Sequence, residues 1–469
     1  MKWTLLKRGP ALLLLINALA GSWPALAQDG EGPRVPRALE PRLKEFIGQK
    51  EALARRLAER EGKEQHPDVW RFFNAAKVGD WPTLVEAYHV LRSGAYQYLG
   101  GDKDERLMTT VWQAVNESFG AYDEIAQGDE FYVTYFGEEI IKSMPAGSIY
   151  FGGTDPGRWL VTAFCKSHND GDPCFVLTQN ALADSLYLQY LRELFGKKIN
   201  LPTAQDSEKA FSFYIQEAKK RLDADKLLPG ENVYEDDNGK VQVSGQVAVM
   251  NINGLLAKAI FDANPDRLCF IEESFPLEWM KPHLAPHGLI MKLERKPIIE
   301  LPVAVVDKDR AYWTQITDRA VGNWLKRETS VKEVCAFAAR VFESHDQTGF
   351  KGDARFLKNA PAQKTYSKLR SGIGSVYAWR SRNSTSAREK ERLAQEADFA
   401  FRQAFALCPY SPEAVLGYAQ LLVEQKRNKE ALLLAETAEN VSPGNGSINS
   451  LVWKLQEKEQ KASEERPSP

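Results

Sequence analysis

Five polar residues follow short apolar runs in the middle of the chain. Asp155 and Arg158 come after Ser148–Phe151, Asn180 and Asp184 after Cys174–Thr178, and Glu272 after Leu268–Ile271. Acids beside an arginine and an amide are groups that hold a sugar, a cation or an anionic group. Glycines 152, 153 and 157 would let backbone N–H groups approach an anion at a following helix start. The run Gly152-Gly-Thr-Asp-Pro-Gly-Arg158 is neither GxGxxG nor a Walker motif, so it specifies no phosphate cradle. The same residues also have a structural use. Asp155 and Asp184 cap helices, Pro156 opens one, and the glycines make a tight turn.

Other constellations carry less chemistry. His283 and His287 are four apart, but Pro282 and Pro286 precede them, which argues against a shared helical metal face. Ser148, Ser167 and Ser185 lack a nucleophile-elbow pattern. Glu272 and Glu273, adjacent on an extended strand, point to opposite sides. Tyr187, Tyr190 and Trp279 read as core rather than as a sugar platform. No CxxC or Cys/His spacing calls for a metal, and no motif calls for a cofactor. Cys165 and Cys174 flank a turn-rich loop and form a candidate disulfide if their Cβ atoms come within range. Cys269 and Cys408 read as buried thiols.

The elements that must position these residues are strands alternating with helices over residues 141–306. That alternation predicts a parallel α/β sheet covered on both faces, with ligands beyond the carboxyl ends of the strands. Its strands are Ser148–Phe151, Cys174–Thr178, Leu268–Ile271 and Gly288–Leu293, with a short helix over Trp279–Leu284. Residues 28–140 read as helical. Leu39, Leu43, Phe46, Ile47, Leu53 and Leu57 recur at helical spacing, and a helix-turn-helix follows from Asp68 through Gly79-Asp80 and Pro82.

Gly147–Arg158, Asp172–Leu182 with Tyr187 and Leu191, and Arg267–Ile271 with Leu284 and Gly288–Leu293 occur in a recognisable order. Together they resemble the soluble extracytoplasmic C-terminal region of a bacterial membrane-protein family related to protein O-mannosyltransferases. The resemblance covers about residues 140–450. It implies an α/β part leading into helical repeats and brings no established catalytic residue. No segment here reads as the multispanning module where that family's glycosyl transfer is expected.

Near the C-terminus one helical pattern occurs twice. Ala397, Phe401, Ala404 and Pro409 recur 34 residues later as Ala431, Ala435, Ala438 and Pro443. Small residues let paired helices approach closely, and the prolines close the second helix of each unit. The period resembles that of tetratricopeptide (TPR) repeats. Helix A then spans Pro412–Val423 and helix B Lys429–Val441. The resemblance implies a concave groove lined by helix A, carried here by Glu413, Leu416, Gly417, Gln420 and Val423. Tyr366–Arg380 reads as the preceding helix A, with a long link over Ser381–Lys390. Helical TPR-like structure is expected over 307–455 and a polar tail over 456–469.

The N-terminus reads as an export leader. Lys2, Lys7 and Arg8 precede an apolar run from Ala11 to Ala20, and Ala25-Leu26-Ala27 offers a cleavage point. Residues 1–27 are therefore expected to be removed, leaving a periplasmic or secreted protein without a transmembrane segment. With 61 basic and 63 acidic residues the net charge is −2, and no basic face points to nucleic acid. The expected function is an exported, non-enzymatic TPR-containing protein that binds a protein or cell-envelope component. The alternative is a glycan-related enzyme or ligand-binding domain using the strand-end residues.

Overall fold

The computed structural model describes residues 34–95, 104–165, 174–236, 239–272 and 277–464. The leader expected over 1–27, Ser167 and Glu273 lie outside them. The chain divides into two compact units. One takes the residues up to Glu130 together with Met144–Cys269, and the other takes Phe131–Ser143 and the chain from Phe270.

The first unit opens on the expected amphipathic helix, Glu40–Glu61. Leu43, Phe46, Ile47, Leu53, Ala54 and Leu57 are buried along one stripe. Gly62 ends the helix in the left-handed region that favours glycine. Helices Pro67–Val78 and Trp81–Ala95 form the next hairpin, and Val111–Gln127 follows. Strand β1 (Ser148–Gly152), helix Asp155–Cys165 and β2 (Cys174–Thr178) make a parallel crossover with Ser148 opposite Cys174 and Gly152 opposite Thr178. Every residue of both strands is buried, as their unbroken apolar runs require. Helix Ser185–Phe195 leads to helix Ala204–Asp223, which opens with a Thr203/Asp206 capping box. A hairpin of β3 (Asn232–Glu235) and β4 (Val241–Ser244) then precedes helix Gln246–Ala263.

Strand β5 spans Cys269–Ile271, β6 Leu284–His287 and β7 Ile290–Leu293. The larger sheet has the order β2-β1-β5-β7-β6. It is mixed, which corrects the expectation of an all-parallel sheet. Strands β6 and β7 are antiparallel, with His287 opposite Ile290 across the two-residue turn Gly288-Leu289. Gly288 has φ +65°, the conformation such a tight hairpin turn demands. The expected short helix shrinks to a single 3-10 turn, Lys281–His283. Pro286 is tolerated because β6 is the edge strand.

The second unit is mainly helical. Ala360–Asn383, Ala387–Leu407, Pro412–Glu424, Asn428–Val441 and Gly446–Glu464 follow one another and pack in sequence. The two helices expected over Pro412–Val423 and Lys429–Val441 are present within one residue at either end. The long link expected before them contracts to Ser384–Ser386. The first helix persists to Asn383, and the Ser386 side chain caps the next by accepting from Glu389 N. Ala397, Ala404, Ala431, Ala435 and Ala438 are fully buried, and Phe401 is 1% exposed.

Phe401 sits in a notch cut by glycines. A Cβ at Gly417 would fall 2.7 Å from its ring, and one at Gly374 would meet Ala400 at 3.3 Å and Phe401 at 3.4 Å. Tyr418 stacks on the same ring at 5.9 Å between centroids. Deeper in this unit, Arg370 donates to Asp309 Oδ2 and Gln403 Oε1, both at 2.8 Å, and Tyr377 donates to the same Asp309 oxygen. Gly417→Ala should therefore lower stability by about 1–3 kcal/mol through overpacking, despite the better helix propensity of alanine. Gly48→Ala is the control, because nothing lies within 4 Å of its Cβ position. It should raise stability by up to about 1 kcal/mol. Urea midpoints of the two variants check this pair of opposite signs.

Candidate functional site

Two places answer to the sequence expectations, one in each unit. In the second unit, helix Pro412–Glu424 turns Ala414, Val415, Tyr418, Ala419, Leu421 and Leu422 inward. Of the five residues expected to line its outer face, Glu413, Leu416 and Gln420 are exposed, and Gly417 and Val423 half-buried. Leu416 is 39% exposed, unusual for a leucine whose neighbours Ala414 and Val415 are fully buried. Charged partners frame the face. Lys368 Nζ lies 3.1 Å from Glu413, Gln420 donates to Glu424 at 2.9 Å, and Arg382 pairs with Glu424 at 2.8 Å. Gly417 differs from the other four, because its lack of a side chain is set by Phe401 behind it.

In the first unit the strand-end residues turn largely inward. Thr154 supplies the cap of helix Asp155–Cys165, its Oγ1 accepting from Gly157 N at 3.1 Å. Asp155, expected as that cap, instead pairs with Arg158, whose Nε donates to Oδ1 at 3.0 Å. Asp184 does cap its helix, accepting from Leu186 N at 2.9 Å. Asn180 Nδ2 donates to Gly153 O at 2.8 Å, and Asn253, itself fully buried, donates to Asn180 O at 2.9 Å. Asn180 is thereby a strut between the two strand ends. Gly152 is a packing glycine, since a Cβ there would lie 2.8 Å from Gly157 O. Glu272 is fully buried and belongs to the second unit, whereas the other four belong to the first. No disulfide joins Cys165 and Cys174. The Cys165 Sγ faces the Cys174 carbonyl oxygen at 3.9 Å instead.

Arg158 and Asp184 nevertheless share a small cavity of about 40 Å³ with residues absent from the sequence expectation, among them Trp112, Gln113 and Glu117, and with Tyr187, which was expected in the core. Glu117 is held from behind. Lys50 Nζ pairs with it, Tyr190 OH donates to Glu117 Oε2 at 2.8 Å, and Lys50 also donates to Tyr190 OH at 3.1 Å. All three side chains are buried. Burial pushes the Tyr190 hydroxyl well up, and the Glu117 charge pushes it the same way. Tyr187 OH accepts from Thr178 N at 2.6 Å at the end of β2.

Asp123, on the same helix as Glu117, is also perturbed. Burial, with the Asp155 charge adding to it, raises its carboxyl to about 6, against the bond from Gln127 and the Arg92 charge. No sequence pattern marked Asp123, Glu117 or Lys50, because each reads locally as a polar residue on an amphipathic helix. Among the described residues no helix is long and apolar enough to cross a membrane. Comparison with family models, curated proteins and solved structures finds no match for this chain.

Two stability measurements follow from these groups. Lys50→Met leaves the Glu117 charge buried without its cation and should cost about 3–5 kcal/mol in urea unfolding. The Lys50→Met/Glu117→Gln pair should recover at least half of that loss. For Asp123 the folded carboxyl binds its proton more tightly than the ordinary value of 3.8. Its contribution is therefore fully present below about pH 4 and lost as pH rises through about 6. Asp123→Asn should be more stable than the parent by roughly 1–3 kcal/mol at pH 7 and equal to it at pH 3, as read from melting curves at both pH values.

Proposed function

We propose that this protein is an exported, non-enzymatic binding protein whose C-terminal helices hold a segment of a protein or cell-envelope partner. The observation that carries the reading is the outer face of helix Pro412–Glu424. It presents Leu416 and Gln420 to solvent while Phe401 locks its inner face in place. An exposed leucine flanked by polar side chains on a rigid helix is the kind of anchor that proteins use to seize a partner chain.

The 34-residue recurrence supports assigning these helices to the TPR type, whose arrays bind proteins on the helix A side. Basic residues, an apolar run and Ala25-Leu26-Ala27 at the N-terminus support export to the periplasm or beyond. The strand-end residues favour the binding reading over a glycan-directed enzyme. Asp155, Asn180 and Asp184 spend hydrogen bonds on Arg158, Gly153 and Leu186.

The test is capture of partners from a cell-envelope fraction by the parent and by a Leu416→Glu/Gln420→Arg variant. Both positions are exposed, so the melting temperature should change by less than a degree or two. The variant should lose at least one protein that the parent retains. An unchanged captured set would refute the assignment of this face.

A further inference from the structure

The cavity at the carboxyl ends of β1 and β2 is a second place where a molecule fits, independent of the helical face. Open α/β sheets take ligands beyond those strand ends. The space is about 40 Å³, room for roughly three waters or a solute of a few heavy atoms. A pyranose ring is too large for it.

The charges around it have both signs. Arg158 is positive, and its side chain is 12% exposed. Its Nε and Nη2 both go to Asp155, which leaves the Nη1 edge uncommitted to that partner. Glu117 and Asp184 bring carboxylates to the same walls. The two signs act on one point. Burial raises the Tyr187 hydroxyl, Glu117 raises it further, and Arg158 opposes them. Gln113 is 8% exposed, and among the described residues its side chain makes one bond, a 3.5 Å contact from Nε2 to Asp184 Oδ2. The indoles of Trp112 and Trp159, with Leu107, Met108 and Leu186, give the rest of the lining an apolar character.

We propose that this cavity binds a small zwitterion of the α-amino-acid type, with its carboxylate against Arg158 and its ammonium against Glu117 and Asp184. A lone carboxylate would meet two carboxylates of its own sign, and a lone amine would meet the guanidinium. A molecule carrying both charges matches the charged part of the wall. Glycine and alanine are the sizes that the volume admits.

The test is equilibrium dialysis of the full chain against labelled glycine and alanine, with acetate, ethylamine and glycerol as competitors. Saturable retention of one or both amino acids is expected, and each competitor should displace them at least tenfold less well than the unlabelled amino acid. Asp184→Asn keeps a good helix cap, so it should melt like the parent while weakening retention about tenfold. Arg158→Gln should weaken it at least as much. Absence of saturable retention of both amino acids would overturn the proposal. So would acetate or glycerol competing as well as glycine, or an Asp184→Asn variant that binds as the parent does.

Discussion

The packing of Phe401 between Gly374 and Gly417 is the contact on which the second unit turns. One aromatic ring fixes how closely helices Ala360–Asn383, Ala387–Leu407 and Pro412–Glu424 approach. The fit has little slack, because a Cβ at Gly417 would stand 2.7 Å from the ring. Protein interiors at this density do not deform smoothly, so the helix that carries Leu416 and Gln420 is held at one angle rather than several. The polar side of the same joint is equally committed. Tyr418 donates to Asp398 at 3.1 Å, and Arg427 pairs with that carboxylate at 2.7 Å. Rigidity of this kind lowers the entropy a partner must overcome on binding.

The first unit solves a different problem. It buries charge near the strand ends and must satisfy it. Lys50, Glu117 and Tyr190 do so among themselves, at sequence separations of 67, 140 and 73 residues. A buried ion pair contributes little net stability over an apolar replacement, so its presence calls for another reason. Here Glu117 is one wall of a cavity whose other walls include Arg158 and Asp184. The trio holds that carboxylate in position and keeps a charge where an apolar residue would have removed it.

Much of the helical architecture was legible from spacing alone. Leu43, Phe46, Ile47 and Leu53 marked the first helix, and the alanines at 397, 404, 431, 435 and 438 marked buried helix contacts near the C-terminus. Strands β1 and β2 were legible because continuous apolar runs bounded by glycine or polar turns have few other uses. Strand β7 was legible within Gly288–Leu293, but its hairpin partner β6 was not. Pro286 sits inside β6, and a proline in an apolar run argues against a strand unless the strand is at an edge. The β3–β4 hairpin was hidden by its polarity, since each of its two strands has a single buried residue, Val233 and Val241. Of the candidate site, Arg158 and Asp184 were found and Trp112, Gln113 and Glu117 were missed. Burial of a charge is a tertiary fact, and nothing within a few residues of Lys50 or Glu117 announces it.

The most direct test of the central claim is site-specific photocrosslinking in the native cell. A photoreactive residue is placed at Leu416 and, as the control, at Asn440, an exposed position on helix Asn428–Val441. A discrete crosslinked product from position 416 and none from 440 is the outcome the proposed function predicts. Identical patterns from both positions, or no product from 416, would contradict the assignment of a binding face to helix Pro412–Glu424.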